Sequence, residues 1–97
     1  MSRDIQEIRG DSGRLLSRAE YLKGKADGVA QQWSENGTLT LEAHFSAGEY
    51  HGTYRSWWDT GVLKEEGMYA EGKRIGIYRW YKDDGELWQE HDYGHAL

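Results

Sequence analysis

The sequence predicts an all-β fold built from successive β-hairpins, and three observations carry that prediction. Residues 21–44, 45–68 and 69–92 align on one another without an insertion or deletion, and self-similarity at a fixed period marks a repeat architecture. Each unit sets a polar-polar-Gly triplet between two runs rich in aromatic and β-branched residues, which is the pattern of a hairpin. Glycine also recurs every few residues, at Gly24, Gly28 and Gly37 and again at Gly48, Gly52 and Gly61 and at Gly72, Gly76 and Gly85. Each such glycine disfavours helix by about 1 kcal/mol relative to alanine.

The elements follow in order. One further shift of the period puts Gly13 on the turn glycine and Leu15 on the leucine two residues later. Residues 1–20 therefore form half a repeat, with a strand near 4–9, a turn at Asp11-Ser12-Gly13 and a strand over 14–22. Terminal units of arrays are commonly atypical in this way. The first strands of the full units cover 29–34, 53–58 and 77–82. Turns follow at Glu35-Asn36-Gly37, Asp59-Thr60-Gly61 and Asp83-Asp84-Gly85, where Asn or Asp supplies side-chain hydrogen bonds and Gly a positive φ. Second strands cover 38–45, 62–69 and 86–93, and paired glycines such as Gly72 and Gly76 read as connectors between units. Residues 93–97 begin another unit as a C-terminal tail, so the 97 residues make one domain.

Alternation along each strand sorts side chains onto two faces. Positions that recur form one face, for example Val29, Trp33, Leu39 and Phe45, then Trp57, Leu63 and Tyr69, then Ile77, Tyr81, Leu87 and Tyr93. The other face changes from unit to unit. It holds Ala30, Gln32 and Ser34 in the first unit, Tyr54, Ser56 and Trp58 in the second, and Tyr78, Trp80 and Trp88 in the third, joined by Val62 and Met68.

Composition narrows the function. Five Trp and seven Tyr stand beside no Pro and no Cys, which leaves neither a disulfide framework nor a cysteine-ligated metal site and favours a reducing compartment such as the cytoplasm. The net charge is −5, with each repeat unit acidic. A nucleic-acid or anionic-membrane binder needs a basic stripe, and none is visible. Residues 1–13 lack the apolar stretch of a signal peptide, and no apolar run of about 18 residues is present to span a bilayer.

Catalytic and metal motifs do not assemble. His44 and His51 flank a unit boundary, and His91 and His95 straddle a glycine in a strand-to-tail segment rather than on a helix, so all four read as surface histidines. There is no G-x-S-x-G elbow around Ser34, Ser46 or Ser56. Adjacent carboxylates such as Glu65 and Glu66 point to opposite faces, and Asp83 with Asp84 serve a turn, so no glycosidase pair forms. Gly72-Lys73-Arg74-Ile75-Gly76 lacks the Lys-Ser/Thr ending and helix of a phosphate loop. The expectation is a protein without catalysis, cofactor or metal.

The pattern Tyr69, Gly72, Lys73, Gly76, Tyr81, Gly85, Leu87, with its equivalents at 24-residue spacing, resembles the MORN-repeat family. It is most similar to the variant found in bacterial YwqK-family antitoxin-like proteins. The resemblance covers residues 11–94; the middle unit departs with Phe45 in the tyrosine slot and Glu49 in the lysine slot, which leaves its hairpin intact. It implies an elongated, twisted antiparallel sheet and a scaffold or binder, the bacterial members often being antitoxin or immunity proteins.

The aromatics that do not repeat are the candidate site: Tyr54, Trp58, Met68, Tyr78, Trp80, Glu86, Trp88 and Glu90. Trp and Tyr dominate interface hot spots, and an acidic rim of Asp59, Glu66, Glu86, Glu90 and Asp92 steers toward a basic surface. The expected partner is a basic toxin or effector protein, neutralised by direct binding. Three other readings stay open. Aromatic cages could hold a choline-like cation; Lys23, Lys25, Lys73 and Arg74 could meet phospholipid headgroups weakly; and open sheet edges could join copies into a homo-oligomeric scaffold.

Overall fold

The computed structural model describes residues 2–95. They form eight strands: β1 (Asp4–Arg9), β2 (Leu15–Leu22), β3 (Lys25–Trp33), β4 (Leu39–Ser46), β5 (Glu49–Trp57), β6 (Leu63–Ala70), β7 (Lys73–Tyr81) and β8 (Leu87–Asp92). All lie in one antiparallel sheet in chain order, with β1 and β8 on its open edges. The plate measures 37 × 35 × 13 Å, so the described residues form a single layer with no second sheet or helix packed on it.

Two kinds of turn alternate along the chain. At one end of the plate the expected polar-polar-Gly turns close the hairpins. Gly37 N–H donates to Ser34 O at 2.9 Å, and Ser34 N–H donates to Thr38 O at 2.9 Å. That is a three-residue loop ending on a glycine at positive φ. Trp58 and Lys82, expected as the last residues of strands, hold the same place as Ser34 and belong to these turns.

At the other end the connectors between units prove to be hairpins as tight as any in the molecule. Lys23-Gly24, Ala47-Gly48 and Glu71-Gly72 each turn the chain in two residues, all at positive φ, the type I′ pattern that matches strand twist. Strands β3, β5 and β7 consequently begin at Lys25, Glu49 and Lys73 rather than at 29, 53 and 77. Gly28, Gly52 and Gly76 lie inside those strands, where the ladder breaks register, and this is why they resemble loop glycines in the sequence.

A second irregularity overturns the expected division of faces. Just past each three-residue turn one residue has no partner across the ladder: Leu16, Thr40, Lys64 and Trp88. Such a bulge breaks simple alternation. Leu39 faces Trp33, whereas Leu41, Ala43 and Phe45 face Gln32, Ala30 and Gly28. Phe45, Tyr69 and Tyr93 therefore share a face with Tyr54, Tyr78 and Trp80, not with Trp33 and Leu39.

On this front face a row of directly opposed residues runs Ala19, Ala30, Ala43, Tyr54, Gly67. Ala43 and Tyr78 are the fully covered apolar side chains among the described residues. On the back face the corresponding row is charged. Glu7, Arg18, Gln31, Glu42, Arg55, Glu66, Arg79 and Glu90 stand opposite one another, one from each strand. Gln31 bonds Glu42 at 2.8 Å, Arg55 bonds Glu66 at 3.2 Å, and Arg79 bonds Glu90 at 2.8 Å.

Candidate functional site

The front face carries a continuous aromatic cluster. The Tyr50 ring lies 4.5 Å from Phe45 and 4.9 Å from Tyr69, and Tyr78 lies 4.7 Å from Trp80 and 6.3 Å from Tyr93. Arg74, directly opposite Tyr69, holds its guanidinium 4.7 Å from the centre of the Tyr78 ring and 5.7 Å from that of Trp80. Burial opposes its charge, but the surrounding tyrosines outweigh burial and hold its pKa above the usual value. An arginine seated on several rings is a satisfied cation, so this part of the face is a packed cluster with Arg74 at its centre. A groove of about 620 Å³ beside it runs along Tyr50, Tyr69, Lys73 and Tyr93.

Tyr78 is the buried keystone of the cluster, at 0 % exposure, with its hydroxyl donating to Glu65 Oε1 at 3.0 Å. Burial and the hydrogen bonds with Tyr69 and Glu65 push its hydroxyl pKa up. Burial, followed by the Glu65 carboxylate, likewise pushes Tyr54 up to about 12.

Toward the three-residue turns the same face opens into a groove of about 700 Å³, lined by Gln32, Leu41, Tyr54, Ser56, Trp58 and Lys64 with Asp59 and Asp83 at its rim. Ser56 is 9 % exposed, and its Oγ has no hydrogen-bond partner. The indole Nε1 of Trp58 is also buried and unpartnered, while Lys64 Nζ sits 4.6 Å above the Trp58 ring. Both atoms are covered, so the surface the groove offers is that of its rings and charged side chains, Tyr54, Trp58, Lys64, Asp59 and Asp83.

The structure divides the residues expected to form one binding patch. Tyr54, Trp58 and Trp80 lie on the front face, and Tyr78 lies there too but beneath its neighbours, out of reach of a partner. Met68 is exposed on the back face, opposite Thr53, and Glu90 is on the back face in its bond to Arg79. Trp88, 64 % exposed, occupies the bulge of edge strand β8, and Glu86 lies at the adjoining turn. Ser56 was expected on the variable face but not in the site, and Lys64 in neither; a lone serine or lysine at a variable position carries no sequence signal of a groove. Histidines do local structural work: His44 Nδ1 bonds Thr53 O at 3.0 Å, and His51 Nδ1 accepts the Glu71 N–H at 3.3 Å in the neighbouring turn.

The family described as MORN repeat variant matches the chain three times, over residues 26–47, 50–71 and 74–95. No curated protein and no solved structure matches.

Proposed function

This chain belongs to the MORN repeat variant family, a family of binding-type repeats, and from that premise we propose that it is a non-catalytic protein-binding module that neutralises a basic effector by covering it. The role is that of an antitoxin or immunity protein like those of the YwqK group, acting in the cytoplasm. The observation that carries the reading is the front-face groove of about 700 Å³ lined by Tyr54, Trp58 and Lys64 with Asp59 and Asp83, since Trp and Tyr dominate interface hot spots. The net charge of −5 supports a basic partner and weighs against nucleic acid.

The test is affinity capture from cell extract on the immobilised chain, with rising salt. A basic protein is retained at low salt and released as salt increases. Trp58→Ala removes the indole from the groove lining, so it lowers affinity by about tenfold or more, the scale of an interface hot spot. Equal retention by Trp58→Ala, with its fold checked by circular dichroism, removes this groove as the site. Binding to anionic vesicles with no protein captured turns the reading to phospholipid.

A further inference from the structure

The back-face charge row has a repeating rule. Glu42 on β4 is met across the ladder by Arg55 on β5, and Glu66 on β6 is met by Arg79 on β7. Strand β8 is the next member of this series, one period on, and it presents Glu90 in the same slot. Glu66 lies between two arginines, Arg55 and Arg79, whereas Glu90 has only Arg79, because no strand follows β8 among the described residues. The same edge bares Leu87 at 48 % and Trp88 at 64 % exposure. We propose that the β8 edge is a strand-addition site for an extended basic segment of a partner protein, which pairs antiparallel with β8 and places an arginine opposite Glu90. This deepens the binding reading above and rests on it.

The molecule itself specifies the incoming segment. The two strands that fill the equivalent place, β5 and β7, share Gly, a β-branched residue, Tyr and Arg in succession, at Gly52-Thr53-Tyr54-Arg55 and Gly76-Ile77-Tyr78-Arg79. Main-chain ladder bonds supply affinity in this mode, and the alternate side chains supply selection. A second copy of the chain is selected against. Its β1 offers Glu7 in the slot that Arg55 and Arg79 fill in β5 and β7, so head-to-tail stacking sets Glu7 against Glu90. Directly opposed like charges destabilise a ladder, and blunting an open edge in this way keeps copies apart.

A fluorescent peptide with the sequence of β7, Lys73–Tyr81, provides the probe, titrated into the 97-residue chain while anisotropy and amide hydrogen exchange are followed. The peptide binds and slows exchange in β8. Exchanging its arginine at the Arg79 position for glutamate weakens binding about fivefold, and Glu90→Arg in the chain restores binding of that altered peptide. In the absence of peptide, Glu7→Arg makes the chain self-associate, and the Glu7→Arg, Glu90→Arg double variant returns it to the parent's state. Protection that falls elsewhere than β8, or affinity indifferent to both charge exchanges, overturns the proposal. That outcome leaves the groove at Trp58 standing, since its own test uses captured partner and a front-face variant.

Discussion

Tyr78 reaches complete burial in a one-layer sheet because its ring lies directly over Gly67, where a Cβ would overlap the ring itself. Gly67 does not have a positive φ; its small size, not its backbone freedom, is what the site uses. Gly67→Ala forces the ring off its seat and costs about 2 kcal/mol, the scale of overpacking, to be read as a lower midpoint in thermal unfolding. Tyr54, across the ladder from Gly67, gives a pH signature. Its folded pKa of about 12 is above the ordinary value of 10.0. A raised folded pKa means that the stabilisation is fully present below the unfolded pKa and is lost as pH climbs through the folded one. Unfolding midpoints should therefore hold steady to about pH 10 and fall as pH approaches 12, and Tyr54→Phe should make that fall shallower.

At the scale of elements, the tight turns between units are the least expected feature and the easiest to improve. Ala47 turns the chain at φ 50, a left-handed conformation that costs an alanine about 1–2 kcal/mol. Its N–H is held by Asp27 Oδ2 at 3.0 Å, and that bond, then the Arg3 side chain, keeps the Asp27 carboxyl below its usual pKa. Ala47→Asn leaves this bond intact and gives the Asn-Gly pair that type I′ turns prefer, so the melting temperature should rise by about 5 °C. The hairpins, their order and their 24-residue spacing were legible because Gly37, Gly61 and Gly85 and the leucines after them repeat at one period. The faces were not. Thr40, Lys64 and Trp88 shift alternation by bulging, and nothing in a threonine, a lysine or a tryptophan announces that. Nor could Ser56 be recognised as an unmatched hydroxyl, since its isolation depends on which residues stand opposite it, Leu41 and Glu65.

Across the whole molecule, side-chain chemistry is arranged in rows perpendicular to the strands, and each row draws one residue from every strand it crosses, two from a full repeat. The repeat thereby sets geometry while the row sets identity: small residues give way to Tyr54 and Tyr78 on the front, and acids alternate with arginines on the back. Because the plate is 13 Å thick, each of these rows stays within one side chain of water. On the binding reading proposed above, a partner laid on the front face supplies the second layer that other β proteins carry within their own chain. Ligand that binds only the folded form adds stability by mass action. Proteases act on transiently opened chains, so on that reading digestion of the chain should slow as partner is added. On that reading, the amount of this protein in a cell should follow the supply of its partner, an accounting for excess built on the thinness of the sheet.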